Sequence, residues 1–196
     1  MKFDEINNIY YENDIVEYGY VSGNNKVVYI KSGMGGSYQG YENKYLRIAR
    51  RVNEKCGCSV VCVSNPVPLP TVVDHTILEK LIRDHDIYNP ELLFFGHSNG
   101  CIKGLELGMS GIPFSKMILV NMPLMINFHK TVQCINAMSE TNIVTVYGEK
   151  DPSYRYIPFL ETKNLRNVEI LKVAGADHNF KGMMEKFIEL SDIFTL

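Results

Sequence analysis

The segment Gly96-His97-Ser98-Asn99-Gly100 is the part of this 196-residue sequence whose residue types best suit covalent chemistry. It matches the pattern G-x-S-x-G, follows the apolar residues 92–95 directly, and precedes residues with a helical pattern at 100–108. A serine between a strand and a helix is held in a strained turn that lifts its hydroxyl above the sheet. The flanking glycines let strand and helix pass closely without a Cβ, so Ser98 is the candidate nucleophile.

Serine is a weak nucleophile at neutral pH and needs an adjacent base, a role for which histidine is well suited. The chain has five histidines. Of these, His75, His85 and His129 belong to helical patterns, where we expect surface or partly buried side chains. His97 adjoins the serine and should point the other way along the strand, supporting the turn. His178 stands in a loop between the last strand and the last helix.

The Gly-His-Ser-Asn-Gly turn after an apolar strand, with an acid and a histidine downstream in that order, resembles the α/β-hydrolase family. The resemblance covers the chain from about residue 15. It implies that Ser98 is the nucleophile, His178 the base, and Asp151, in a Gly-Glu-Lys-Asp loop similar to the family's acid loop, the acid that orients the base. Glu149 is a second candidate acid, and Asp151 could instead cap a helix that begins at Pro152. Asp177 is a poor candidate because a residue seldom reaches its own neighbour's ring.

An oxyanion hole requires two backbone N–H groups that point at the developing negative charge. The resemblance implies that one belongs to Asn99 and the other to the glycine-rich loop after the apolar residues 27–30, where we choose Met34. The family often has His-Gly at the start of that loop, whereas this chain has Ser32 and Gly33. We expect Gly33 and Gly35 to lie beside the substrate. The loop lacks the spacing of a nucleotide-binding motif.

Short apolar runs alternate with helical patterns along the chain. The runs are residues 27–30, 59–63, 92–95, 117–120, 143–147 and 168–173, the last more alternating, as in an edge strand. This alternation predicts an α/β fold, a doubly wound and mostly parallel sheet with helices on both faces, in one domain over residues 1–196. The resemblance narrows this to the α/β-hydrolase fold without a cap domain.

Three local patterns give further expectations. Residues 15–21 are expected to pair with residues 27–30 across a turn. Thr71 and Asp74 resemble an acidic capping box at a helix start. Phe180, with Met183, Met184, Phe187 and Ile188, follows the spacing of one amphipathic helix.

Composition excludes several classes of function. The chain has 45% hydrophobic and 21% charged residues and a formal net charge of −2, so neither nucleic acid nor an anionic membrane is an expected partner. No apolar stretch is long enough for a membrane span, and the polar N-terminus predicts a cytoplasmic protein. Five cysteines without zinc-site spacing predict reduced thiols, no metal and no cofactor.

The segment between residues 120 and 143 has room for about one helix, for which 127–138 is the candidate, and not for a cap domain. We therefore expect an open site for a small acyl substrate. Its wall would contain Met34, residues 66–70, Met122, Leu124 and Met125, and the second chain of a homodimer could add a lid.

The leading function is cleavage of a small carboxylic ester or thioester. An acyltransferase with the same residues and a non-catalytic binding protein of this fold are the alternatives.

Overall fold

The strands form one eight-stranded sheet in the computed structural model, which describes residues 1–67 and 69–195. In chain order they are β1 (Glu5–Tyr11), β2 (Asp14–Val21), β3 (Asn24–Lys31), β4 (Cys58–Val63), β5 (Glu91–His97), β6 (Phe114–Val120), β7 (Asn142–Gly148) and β8 (Val168–Val173). The spatial order is β1-β2-β4-β3-β5-β6-β7-β8. Strands β3 to β8 run parallel to one another, whereas β2 is antiparallel to both of its neighbours, β1 and β4. The predicted fold class is confirmed, with β8 at the edge.

Helices cover both faces of the sheet. They are α1 (Lys44–Cys56), α2 (Thr71–Asp84), α3 (Asn99–Met109), α4 (Phe128–Ala137), α5 (Ile157–Glu161) and α6 (Met184–Glu189), with short 3₁₀ segments at Tyr41–Asn43, Tyr154–Tyr156 and Leu190–Thr195. Helices α1 and α6 pack on one face, and α2 to α5 on the other. No helix within the described ranges is long and apolar enough to cross a membrane.

The central strands are apolar at nearly every position because both of their faces are covered. In β3, Val28 and Ile30 point toward α1, while Val27 and Tyr29 point toward the opposite helix layer. The four side chains are at most 1% exposed. This two-sided burial explains why the runs showed no polar alternation.

The expected pairing of residues 15–21 with residues 27–30 is wrong. Strand β2 pairs with β1 and with β4, whereas β3 lies between β4 and β5. Both edges of β3 are taken by parallel partners that arrive through helical crossovers, so no edge is left for β2. Strand β1 was not predicted because its residue types do not alternate with burial: Ile6 and Tyr10 are exposed, whereas Asn7 is partly buried.

The last helix is shorter than its spacing predicted. Phe180 lies before α6 with a φ of 54°, and Gly182 follows with a φ of 72°. The Asp177 carboxylate accepts hydrogen bonds from the backbone N–H groups of Asn179 and Lys181. These contacts hold an irregular loop, yet Phe180 is completely buried, as the apolar pattern requires.

The capping box at Thr71 and Asp74 is also absent. The cap residue of α2 is Pro70, without a side-chain hydrogen bond, and Asp74 is 1% exposed. Its Oδ1 accepts hydrogen bonds from the Lys31 ammonium at 2.7 Å and the Tyr29 hydroxyl at 2.5 Å. The Lys31 ammonium also donates to the Ser64 carbonyl. Burial lowers the pKa of Lys31 and raises that of Tyr29. Lys31 and Asp74 form an ion pair in which both side chains are 1% exposed, so the pair is closed off from water.

Removal of one member of this pair should be costly. We expect Asp74→Ala to lower the free energy of unfolding by about 3–5 kcal/mol, because Lys31 would keep an uncompensated buried charge. The double variant Lys31→Met, Asp74→Leu should recover most of the loss. Urea unfolding measures both, with Glu79→Ala, an exposed carboxylate on the same helix, as the control. A loss no larger than that of the control would show that the pair does not stabilise the fold.

Candidate active site

Ser98 stands at the carboxyl end of β5, between the strand and α3. Its backbone has φ 56° and ψ −125°, a conformation that side chains rarely adopt. A Cβ at Gly96 would lie 2.9 Å from the backbone nitrogen of Cys101, and one at Gly100 would lie 2.2 Å from the carbonyl oxygen of Lys31. Both glycines of the motif are therefore required by close backbone approach, as the sequence suggested.

The structure brings Ser98, His178 and Asp151 into one hydrogen-bonded line. The Ser98 hydroxyl donates to Nε2 of His178 at 2.9 Å, and Nδ1 of His178 donates to Oδ2 of Asp151 at 2.5 Å. The side chain of His178 is 38% exposed and that of Asp151 1%. A buried carboxylate behind a half-exposed imidazole can fix its tautomer and stabilise its protonated form.

The two carboxylates of the acid loop have different hydrogen-bond partners. Oδ1 of Asp151 accepts the backbone N–H of Ser153 at 2.7 Å, so this side chain supports a turn and also faces the histidine. Glu149 instead accepts the backbone N–H of Gly175. A Cβ at Gly148 would lie 2.5 Å from the Ala176 carbonyl oxygen, which shows how tightly the acid and histidine loops pack.

The glycine-rich loop after β3 lies directly against the serine. A Cβ on Gly33 would be 3.2 Å from the Cβ of Ser98. The N–H groups of Gly35 and Gly36 donate to the carbonyls of Asn65 and Gly33, and that of Gly33 bonds to a tyrosine hydroxyl. The N–H of Met34 has no acceptor among the described residues. Asn99 begins α3, where the N–H has no intrahelical partner.

Asn65 positions this loop and was missed by the sequence reasoning. Besides its backbone bonds to the loop, its buried Nδ2 donates to the Ser32 carbonyl at 3.1 Å and to Oδ1 of Asn99 at 3.0 Å. It therefore links the loop after β3 to the start of α3.

Asn121 links the loop that contains His178 to the loop that contains Asp151. Its Oδ1 accepts the N–H of Gly148 at 2.8 Å, and its Nδ2 donates to the carbonyls of His178 at 2.9 Å and Asp177 at 3.2 Å. Asn121 is fully buried with a φ of 49°. A signal was present for both asparagines, since each closely follows an apolar run at the carboxyl edge of the sheet.

His97 supports the loop that contains His178 through a hydrogen bond, in the supporting role that its position predicted. Its Nε2 donates to the His178 carbonyl at 2.8 Å, and Nδ1 accepts from the Tyr45 hydroxyl at 3.4 Å. Desolvation, with a smaller contribution from the Lys44 charge, lowers the pKa of His97 to about 3. The ring therefore stays neutral near pH 7 and serves as a fixed hydrogen-bonding group.

A cavity of about 440 Å³ opens above Ser98 and is lined by Gly33, Met34, Gly35 and His178 among others. Met34 is 59% exposed, but Met122 and Leu124 are 0% exposed. The expectation that Met122 and Leu124 form part of the wall is therefore wrong, because the chain after β6 turns inward and packs both side chains into the core. Pro68, another expected wall residue, lies outside the described residues.

The fold of this chain is similar to those of several solved structures. A comparison of the sequence with protein-family models and with curated proteins finds no match. Est1E from Butyrivibrio proteoclasticus superposes with a TM-score of 0.74 at 12% identity, over 97% of each chain. An α/β serine hydrolase homologue from Coxiella burnetii gives 0.69 at 18% identity, over 100% of this chain and 99% of the other. The chain has the α/β-hydrolase fold.

One of the similar solved structures is described as lacking a lid. XC6422 from Xanthomonas campestris, described as an α/β serine hydrolase without a lid, gives a TM-score of 0.67 at 14% identity, over 98% of this chain and 94% of the other. Between β6 and β7 the present α/β-hydrolase fold contains one helix, α4 (Phe128–Ala137), close to the predicted 127–138.

The depressed pKa of His97 makes the fold sensitive to acid. The pKa falls from an unfolded value of 6.5 to about 3, so the unfolded chain binds more protons in this window and stability is lost as pH falls from about 6.5 toward 3. The slope is at most about 1.4 kcal/mol per pH unit. His97→Gln should remove this component, so that wild type loses about 2 kcal/mol more than the variant between pH 7.5 and 5.

Urea unfolding at both pH values checks this, with the exposed His129→Gln as control. Equal acid sensitivity of wild type and His97→Gln would mean that His97 is protonated in the folded protein.

Proposed function

We propose that this protein is a serine hydrolase that cleaves a small carboxylic ester or thioester through an acyl-Ser98 intermediate. The observation that carries the proposal is the continuous hydrogen-bonded line from the Ser98 hydroxyl through His178 to Asp151. The strained backbone of Ser98 and the adjacent glycine-rich loop support it, since both are features of the turn that presents such a nucleophile.

In the acylation step, Oγ of Ser98 bonds to the substrate carbonyl carbon while its proton moves to Nε2 of His178. The carbonyl π electrons move onto the oxygen, and the N–H groups of Met34 and Asn99 stabilise the negative charge. Collapse of this intermediate breaks the bond to the alkoxide or thiolate leaving group, which takes the proton from His178. Asp151 stabilises the imidazolium between these two transfers.

Deacylation repeats the sequence with water. His178 removes a proton from the water as its oxygen bonds to the acyl carbon, and collapse breaks the bond between that carbon and Oγ of Ser98. The carboxylic acid leaves, and the proton on His178 returns to Ser98. Each proton transfer thus uses a side chain of this protein.

The open surroundings of Ser98 support a small acyl group. Only α4 lies between β6 and β7, and the exposed methionines Met34 and Met125 are adaptable apolar contacts at the surface. Each acyl methylene that becomes buried contributes about 0.8 kcal/mol, and this gain ends where the wall ends. We therefore infer a preference for short acyl chains.

The nucleophile can be tested directly. Ser98→Ala should abolish hydrolysis of p-nitrophenyl butyrate and covalent labelling by a fluorophosphonate, because no other group replaces the attacking oxygen. Ser37→Ala, which changes another serine of the same cavity, should retain both. The labelled residue is identified by peptide mass spectrometry, and an adduct on any residue except Ser98 would overturn the assignment.

The assignment of Asp151 as the acid can be tested by replacing each of the two candidate carboxylates with its amide. Asp151→Asn should lower kcat by about 10³–10⁴-fold, because the amide favours the wrong histidine tautomer and cannot stabilise the imidazolium. Glu149→Gln should leave kcat close to wild type, since Glu149 bonds to the Gly175 backbone instead. Circular dichroism confirms that both variants are folded. The reverse pattern of kcat values would assign the acid to Glu149.

A further inference from the structure

Lys44, the first residue of α1, carries a buried positive charge without a counter-ion. The residue is 6% exposed. Its ammonium lies 4.5 Å from the ring centroid of Phe187 and 5.1 Å from that of Tyr45. A Cβ on Gly40 would be 2.9 Å from its Cγ, so the aliphatic stem is tightly packed. Within residues 1–67 and 69–195, no carboxylate forms an ion pair with it.

Such a charge opposes folding. Desolvation lowers the pKa of Lys44 to about 8, so the side chain remains mostly protonated at neutral pH. A lysine that only filled space could be replaced by an apolar side chain without this cost. The aromatic faces of Tyr45 and Phe187 compensate it in part, because they attract a cation, but they leave the ammonium's hydrogen-bonding capacity unused.

Lys44 borders the candidate active site. Lys44 lines the same 440 Å³ cavity as Ser98 and His178. It also lines an adjoining groove of about 810 Å³, and Tyr41 and Asn179 border both spaces. Its charge contributes to the lowered pKa of His97, whose ring bonds to the His178 carbonyl. Lys44 therefore contributes to the walls of both the cavity above Ser98 and the adjoining groove.

The groove around Lys44 has more cations than carboxylates. Its positively charged residues are Lys44, Arg47, Lys181 and Lys186, and its negatively charged residues are Glu42, Asp177 and Glu185. Arg47 and Glu185 form an ion pair, and the Asp177 carboxylate is occupied by backbone N–H groups. The surroundings thus favour a ligand that brings a negative charge.

We propose that Lys44 determines specificity by binding an anionic group, a carboxylate or a phosphate, of the ester or thioester that Ser98 attacks. The proposal rests on the proposed function and narrows it to acyl substrates that carry such a charge. In the complex the ammonium gains the partner that the protein does not provide. A charge-assisted hydrogen bond in a desolvated position then favours the charged substrate over a neutral one of the same shape.

The test compares matched pairs of substrates. The mono-p-nitrophenyl ester of adipic acid carries a carboxylate, and its methyl-capped diester is neutral. Butanoyl-4′-phosphopantetheine carries a phosphate, and butanoyl-pantetheine does not. Wild type should prefer the charged member of at least one pair, and the pair that shows the preference identifies the anion as carboxylate or phosphate.

Lys44→Met retains the length of the stem and removes the charge. It should raise KM for the preferred charged substrate by about 10–100-fold, the value of one charge-assisted hydrogen bond. Its kcat and its KM for the neutral partner should stay near wild type. Lys163→Met, an exposed lysine outside the groove, controls for net charge and should leave the preference unchanged.

The outcomes separate the two proposals. Loss of fluorophosphonate labelling only in Ser98→Ala, together with equal KM values for charged and neutral substrates in wild type, would overturn the role of Lys44 and keep the hydrolase. A Lys44→Met variant that melts at lower temperature and shows equal KM increases for both members would make Lys44 structural, which also overturns it. Absence of ester or thioester hydrolysis by wild type would overturn the proposed function itself.

Discussion

The site depends on how closely β3, β5 and α3 approach one another at the carboxyl edge of the sheet. Gly100 lies so near Lys31 that a Cβ there would be 2.2 Å from the carbonyl oxygen, and Gly96 is equally confined by the helix. This approach holds Ser98 in its rare backbone conformation. It also places the loop after β3 on the serine, because Gly33 contacts it directly. One packing constraint thus arranges Ser98, the proposed nucleophile, and the N–H groups proposed to stabilise the oxyanion.

The loops around the serine have no regular structure, so their buried backbone groups need other partners. Asn65 holds the loop after β3, Asn121 joins the acid and histidine loops, and His97 bonds to the His178 carbonyl. Each of these side chains is buried. Asn121 and His97 use both of their polar ends, whereas Asn65 donates two hydrogen bonds through Nδ2. Because a change in one loop would leave a buried group without a partner in another, the active-site geometry is shared by all three.

The two buried lysines show how the protein handles charge in different ways. Lys31 lies in a closed layer and has Asp74 as its counter-ion, with Tyr29 as a second donor to that carboxylate. The ammonium of Lys44 lies beside the rings of Tyr45 and Phe187, and the residue lines the cavity that contains Ser98. The first arrangement joins α2 to the sheet. The second leaves a buried ammonium without a carboxylate partner among the described residues, and the proposed role of Lys44 rests on this difference.

The sequence by itself determined what depends on local pattern. Apolar runs predicted β3 to β8, the turn around Ser98 followed from two glycines and a strand, and the short segment before β7 excluded a cap domain. Only the tertiary structure decided which strands pair with β2, that Asp74 contacts Lys31, and that Met122 lies in the core. These are contacts between residues that are distant along the chain. The periodicity of apolar residues indicates whether a side chain is buried, but it does not indicate which residues it packs against.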